Sequence, residues 1–300
     1  MAKLHYQLVD VFTDSHFGGN PLAVFPDGPA VPEHYYQRIA NELNLSETTY
    51  VLPPTDGQSD VRVRIFTPRE ELPFAGHPTL GTAFVLAREG RILGSGAERK
   101  VVFELGVGPT PVELRYRDGA PHFITMSQPL PQFGPEVSDR GAIAAMLSLA
   151  EDDLLPGAPC HMISCGLPFL FVLLCGLDAV GKARVKPTEF EAVLESAAAR
   201  AVYAFTMETE QPGSTVHGRM FGPALGVKED PATGSANGPL GCFLLRHGLA
   251  EGAGIVSEQG FEMGRPSLLY VDIGQEEGEI SSVRVGGQCV AMGGGWFELP

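Results

Sequence analysis

Two stretches govern what this chain can fold into. GHPTLGTAFVLAREG opens at Gly76 and GSANGPLGCFLLRHG opens at Gly234; each starts on a glycine and runs on as a mostly apolar segment. The first carries Leu80, Ala83, Phe84 and Ala87 at helical spacing, closes on Gly90 and is apolar nearly all round. A helix with no polar face has to be buried. The segments after it, KVVFEL, PVELRYRD and APHFITMSQP, have strand character and break at Gly-rich or Asp-Gly turns, giving a meander beside a central helix.

The approaches to the two stretches also match. Phe66, Pro68 and Gly76 align with Phe221, Pro223 and Gly234, and Ala83-Phe84-Val85-Leu86 falls against Gly241-Cys242-Phe243-Leu244. The pattern suggests that the second half repeats the first in outline. In the first half, Tyr6 to Val11 and Pro21 to Phe25 read as strands joined by the turn TDSHFGGN, and EHYYQRIANELN reads as a helix ending at Asn44. LSETTYVLP and the alternating VRVRIFTP read as strands. In the second half, helices are expected over Asp139 to Leu149 and near Glu189 to Arg200, with strands in HMISCG, FLFVLLCGL and VYAFTM. Between the halves, QPLPQFGPEV, with three prolines and a glycine, reads as a linker.

A length of 300 residues accommodates two such domains, and 37 Gly with 25 Pro favour a turn-rich mixed architecture over a helix bundle. The net charge of −15 without any basic stripe argues against a nucleic-acid or anionic-membrane partner. No signal-peptide pattern or membrane-length apolar run is present, and the expected location is the cytoplasm. Cys160, Cys165, Cys175, Cys242 and Cys289 are odd in number, show no CxxC pairing and mostly sit in apolar runs, so they read as buried free thiols. No metal site is expected: the cysteines lack zinc spacing, and His122, His161, His217 and His247 form no ligand pattern. Dinucleotide, P-loop, GxSxG and HExxH motifs are absent.

The backbone N–H groups at Gly76, His77, Gly234 and Ser235 would point outward from two helix starts, and a facing pair of such starts would hold a carboxylate. Taken alone, each loop is better read as tight, close-packed helix initiation. Three titratable groups nearby suit proton chemistry. Glu47 lies between a helix end and a strand among Leu45, Tyr50 and Val51, where partial burial would raise its pKa; the ordinary alternative is a solvated acid. His77 sits at a helix start that favours neutral imidazole, or simply caps the turn. Asp230 precedes Pro231, which restricts its backbone to an extended form and fixes where its side chain points, whereas Glu229 reads as a surface acid complementing the helix dipole.

GNPLAVF, NLSETTYVLP, RIFTPREELPFAGHPTLGTA, GRMFGPALGVKEDPATGSANGPLG and GRPSLLYV, spread over nearly the whole length, resemble the phenazine-biosynthesis isomerase family (PhzF-like). The resemblance implies an α+β, duplicated diaminopimelate epimerase-like fold, with two β-barrel-like sheets each wrapped around a central helix and the active site in the cleft. The expected domains are 1–127, completed by a C-terminal strand at about 283–300, and 128–282. It further implies a homodimer, no cofactor, and isomerisation of a small carboxylate by proton transfer, as in trans-2,3-dihydro-3-hydroxyanthranilate isomerisation. Glu47 then resembles the proton-shuttling acid/base, His77 and Asp230 its partners, and Ser46, Gly76, Gly234 and Ser235 substrate-contacting positions. Two alternatives stay open: an amino-acid epimerase or racemase, and a non-catalytic small-carboxylate-binding protein. FAGHPT and EDPATGSA carry no cysteine, which argues against a two-thiol racemase.

Overall fold

The computed structural model describes residues 2–93 and 96–299. Its contacts divide the chain into two compact units. One runs to Ser127 and is completed by the chain from Val285 onward; the other runs from Gln128 to Arg284.

The first unit starts with β1 (Ala2–Val11) and β2 (Asn20–Phe25), an antiparallel pair in which Val11 faces Asn20. Helix α1 (Tyr36–Leu43) follows and stops where Asn44 takes a left-handed conformation, φ 51°, as its short polar side chain permits. The chain returns as β3 (Glu47–Leu52), parallel to β2, and continues into β4 (Val61–Phe66) and the two-residue β5 (Glu71–Leu72), each antiparallel to its predecessor. Next comes α2 (Gly76–Arg88), buried along its length except at Arg88, as its lack of a polar face requires. The meander β6 (Glu98–Leu105), β7 (Gly108–Arg117) and β8 (Ala120–Gln128) follows, with β6 parallel to β4. The final strand, Cys289–Leu299, pairs antiparallel with β1 from Ala2↔Leu299 to Val11↔Cys289. On the α1 side of β2, β3 and β4, Phe25, Tyr36, Ile39, Tyr50 and Phe66 form a second core, with Tyr36 and Tyr50 stacked 3.9 Å apart.

The second unit starts with β9 (Gln132–Glu136). QPLPQFGPEV begins where the two units divide, but beyond residue 131 it is a strand, paired with β10 through a bulge, and not a linker throughout. Pro135 is exposed, in keeping with an edge position, where proline's missing N–H costs no ladder bond. Helix α3 (Arg140–Met146) is shorter than expected; Asp139 caps its N-terminus by accepting from Ala142 N. Strands β10 (His161–Ser164) and β11 (Pro168–Leu173) pair antiparallel. A helix not expected from sequence, α4 (Leu177–Lys182), precedes α5 (Pro187–Ala197). Strand β12 (Ala201–Thr206) is parallel to β11, β13 (Val216–Gly222) antiparallel to β12, and β14 (Val227–Asp230) antiparallel to β13. Then come α6 (Gly234–Arg246), β15 (Ile255–Gln259) parallel to β13, β16 (Ser267–Glu276) and β17 (Glu279–Gly287), which leads into the final strand, β18.

The same succession of pairings thus runs twice, and both central helices have 13 residues ending on an arginine. The architecture is α+β. FLFVLL is apolar without alternation because β11 and β12 are covered on both faces, by α6 on one side and the α3–α5 layer on the other. Cys160, Cys165 and Cys242 are buried and all five cysteines are unbridged, although Cys175 is exposed. No helix among the described residues is long and apolar enough to cross a membrane.

Candidate active site

Glu47 is the first residue of β3, which brings it beside β2 with Leu22 as its register partner. His77 is the second residue of α2. The sheet and the helix bring the two together: His77 Nε2 lies 3.1 Å from Glu47 Oε2, with the histidine 3% and the glutamate 12% exposed. The contact is short but off the line of a hydrogen bond. Burial pushes the His77 imidazole down to about 3, so it is neutral around pH 7.

Asn20, at the start of β2, decides which nitrogen of that neutral ring holds the proton. Its Nδ2 sits 3.1 Å from His77 Nδ1 and donates to it, which leaves the ring proton on Nε2, on the side of Glu47. Sequence reasoning assigned Asn20 no role, although it lies inside the GNPLAVF stretch; nothing in the chain's spacing links position 20 to position 77. The N–H groups of Gly76 and His77 fall in the first helical turn, where the helix supplies no acceptor, and they add positive potential near the carboxylate. Ser46, half-buried, immediately precedes Glu47.

The second unit builds another helix start. Asp230 is buried at 5% exposure and lies at the end of β14 opposite Met220, not in a loop as expected. Strand pairing as well as Pro231 therefore fixes its direction. Thr233 Oγ1 donates to Asp230 Oδ2 at 2.6 Å. Gln259, which the sequence did not flag, binds the turn: its Nε2 donates to Asp230 O and Thr233 Oγ1, and its Oε1 accepts from Thr233 N. Asn237 Nδ2 donates to Thr233 O. Gly234 and Ser235, the first two residues of α6, carry the N–H groups left over by these bonds.

Glu229 is not the surface acid expected. It accepts a forked pair from Arg219, Nε at 2.7 Å and Nη2 at 2.8 Å, while Arg219 Nη1 donates to the carbonyls of Val180 and Ala183 at the end of α4. Arg219 is 4% exposed, so Glu229 compensates a buried charge. A surface groove of about 490 Å³ in the first unit, lined by Arg62, Arg64, Glu71 and Glu104 among others, contains none of the candidate site residues.

These arrangements suit proton transfer at carbon: a carboxylate in a largely dry setting, a neutral imidazole whose protonated nitrogen lies close beside it, and helix N–H groups for developing negative charge. The chain is also similar to known proteins. The phenazine biosynthesis-like protein family matches residues 9–295. An uncharacterised isomerase of Mesorhizobium japonicum is 36% identical over 304 residues, covering 98% of this chain and 99% of its own. The trans-2,3-dihydro-3-hydroxyanthranilate isomerase of Pseudomonas fluorescens is 36% identical over 296 residues, with 98% and 99% covered. The crystal structure of a PhzF-family phenazine biosynthesis protein from Bacillus anthracis matches with a TM-score of 0.89 at 26% identity, over 100% of both chains. The chain belongs to the phenazine biosynthesis-like (PhzC-PhzF) family and is an isomerase.

Proposed function

We infer that the protein is a cofactor-independent isomerase that moves a proton between carbons of a small cyclic or amino carboxylate, similar to the Pseudomonas fluorescens enzyme in reaction type. The observation that carries this reading is the Glu47–His77 pair: 3.1 Å apart, nearly buried, with the imidazole held neutral. In the proposed reaction the Glu47 carboxylate removes a proton from the substrate carbon. His77 Nε2–H and the N–H groups of the α2 start stabilise the negative charge that moves into the unsaturated system. Glu47 then returns the proton to a second carbon, so no net proton or electron is exchanged. In the second unit, the Gly234 and Ser235 N–H groups offer a start of α6 suited to a small carboxylate, with Asp230 oriented beside it by Thr233.

The test is incubation with trans-2,3-dihydro-3-hydroxyanthranilate in D₂O, followed by NMR for isomerisation and for solvent deuterium at the reacting carbons. The expected result is turnover in the wild type and a fall of about 10²–10⁴-fold in Glu47→Gln. Equal activity in Glu47→Gln would remove Glu47 from the mechanism. Turnover of another small carboxylate with the same Glu47 dependence would keep the reaction class and change the substrate.

A further inference from the structure

The second unit brings together three side chains that the sequence keeps far apart. His161 on β10 and Glu136 on β9 are direct cross-strand partners, so their side chains share a face of the sheet. His247 follows the last residue of α6, and its ring reaches the same point. His161 Nδ1 lies 3.2 Å from His247 Nε2, and one donor atom from each of Glu136, His161 and His247 falls within 4.8 Å of the others.

The orientation of His161 is that of a ligand. Its Nε2 is 3.0 Å from the Gly134 carbonyl, so Nε2–H donates there and Nδ1 keeps its lone pair toward His247. That carbonyl comes from the bulged part of β9, where Gly134 lies against the thioether end of Met162. His161 is buried, His247 half-buried and Glu136 exposed, which gives fixed nitrogens and one mobile carboxylate open to solvent.

We propose that Glu136, His161 and His247 form a binding site for a divalent transition metal ion, Zn²⁺ foremost. Two nitrogens and a carboxylate oxygen form a donor set suited to zinc, with solvent completing the coordination. Metal–nitrogen bonds of about 2.0–2.1 Å at tetrahedral angles put the two nitrogens about 3.3 Å apart, close to the spacing already present. Glu136 closes the remaining gap by a rotamer change at the surface. When the metal binds, the His247 ring proton resides on Nδ1 and no net proton is lost. The ion would tie the edge strand β9 and β10 to the C-terminal end of α6, where the helix dipole favours positive charge. The opposite end of this helix, about 20 Å away, carries Gly234 and Ser235. The proposal is independent of the isomerase reading.

The test uses tag-free, chelator-stripped full-length protein titrated with ZnCl₂ by calorimetry, with metal content measured after gel filtration. One Zn²⁺ per chain and a rise in Tm are expected. His247→Ala and Glu136→Ala each lower Zn²⁺ affinity by more than about tenfold, the scale on which even supporting contacts of metal ligands act. Because His161 is buried and its removal endangers folding, these two exposed-side variants carry the test, and their metal-free Tm should match the wild type within a few degrees. Co²⁺ substitution should give a visible absorption band that His247→Ala abolishes. Absence of Zn²⁺ binding by the wild type, or equal binding by the wild type and His247→Ala, overturns the proposal.

Discussion

Among single residues, two buried histidines respond oppositely to pH. Burial holds the His77 ring down to about 3, so an unfolded chain binds a proton below about 6.5 that the folded one refuses, and folding is penalised as pH falls through that range. His217 has an acid on each side, Glu258 Oε2 at 2.8 Å from Nδ1 and Glu262 Oε1 at 3.0 Å from Nε2. Its burial acts to lower its pKa, but the two carboxylates outweigh that and raise it above 6.5. This contribution is fully present below 6.5 and is lost as pH rises through the raised value. Desolvation acts to raise the Glu262 pKa, but the His217 hydrogen bond, a backbone N–H and the nearby His217 and Arg219 charges together bring it below 4.5, so its share is present above 4.5 and lost as pH falls through the lowered value. The stability difference between wild type and His217→Gln, measured by urea unfolding, should therefore peak between 4.5 and 6.5 and shrink in alkali. A difference that grows with pH would contradict the assignment. His77 should show no NMR titration between about pH 5 and 8. Asn20→Ala leaves the buried Nδ1 without its donor and should cost about 1–3 kcal/mol of stability.

At the level of elements, α2 and α6 show a competition between helix propensity and packing. Alanine is intrinsically better than glycine in a helix by about 1 kcal/mol. At Gly81, however, a Cβ would come within 2.6 Å of Leu22 Cδ2 and 2.8 Å of Val11 Cγ2. Gly81→Ala should therefore destabilise the protein by about 1–3 kcal/mol, read from the denaturation midpoint, since overpacking exceeds the propensity gain. A stabilised variant would show that the strands yield. In α6, a Cβ at Gly238 would strike Gln128, whose Nε2 donates to Gly234 O at the helix start. Small residues in these helices are thus required by the strands that cover them. The sequence revealed both helices and their first residues because a helix without a polar face leaves a strong pattern. It hid α4, whose end carbonyls depend on Arg219, 36 residues beyond Ala183, and it disguised β9 as a linker because prolines are tolerated at an edge.

Across the whole molecule, the chain's end completes its beginning. The β1–β18 register runs the length of both strands with one irregularity near Leu8, and Phe297 and Leu299 pack against the core that holds Leu4. Deleting the chain after Gln288 would leave β1 with an exposed edge and expose apolar side chains, so the truncated protein should be insoluble or lack a cooperative thermal transition. A soluble truncation with native circular dichroism and a wild-type Tm would refute this.

By itself the sequence determined the two buried helices, their glycine starts, the surrounding strand classes and the family, because each depends on local periodicity or on a contiguous motif. The candidates Glu47, His77 and Asp230 were also legible, being embedded in such motifs. Only the tertiary structure decided which atoms meet: Asn20 on His77, Gln259 on the Thr233 turn, Glu229 on buried Arg219, and His161 with His247 and Glu136. These partners lie 10 to 86 residues apart in pairs such as Arg219–Glu229 and His161–His247. Hydrogen bonding and coordination depend on distance and direction in space, and no one-dimensional spacing encodes either once the chain has crossed between strands.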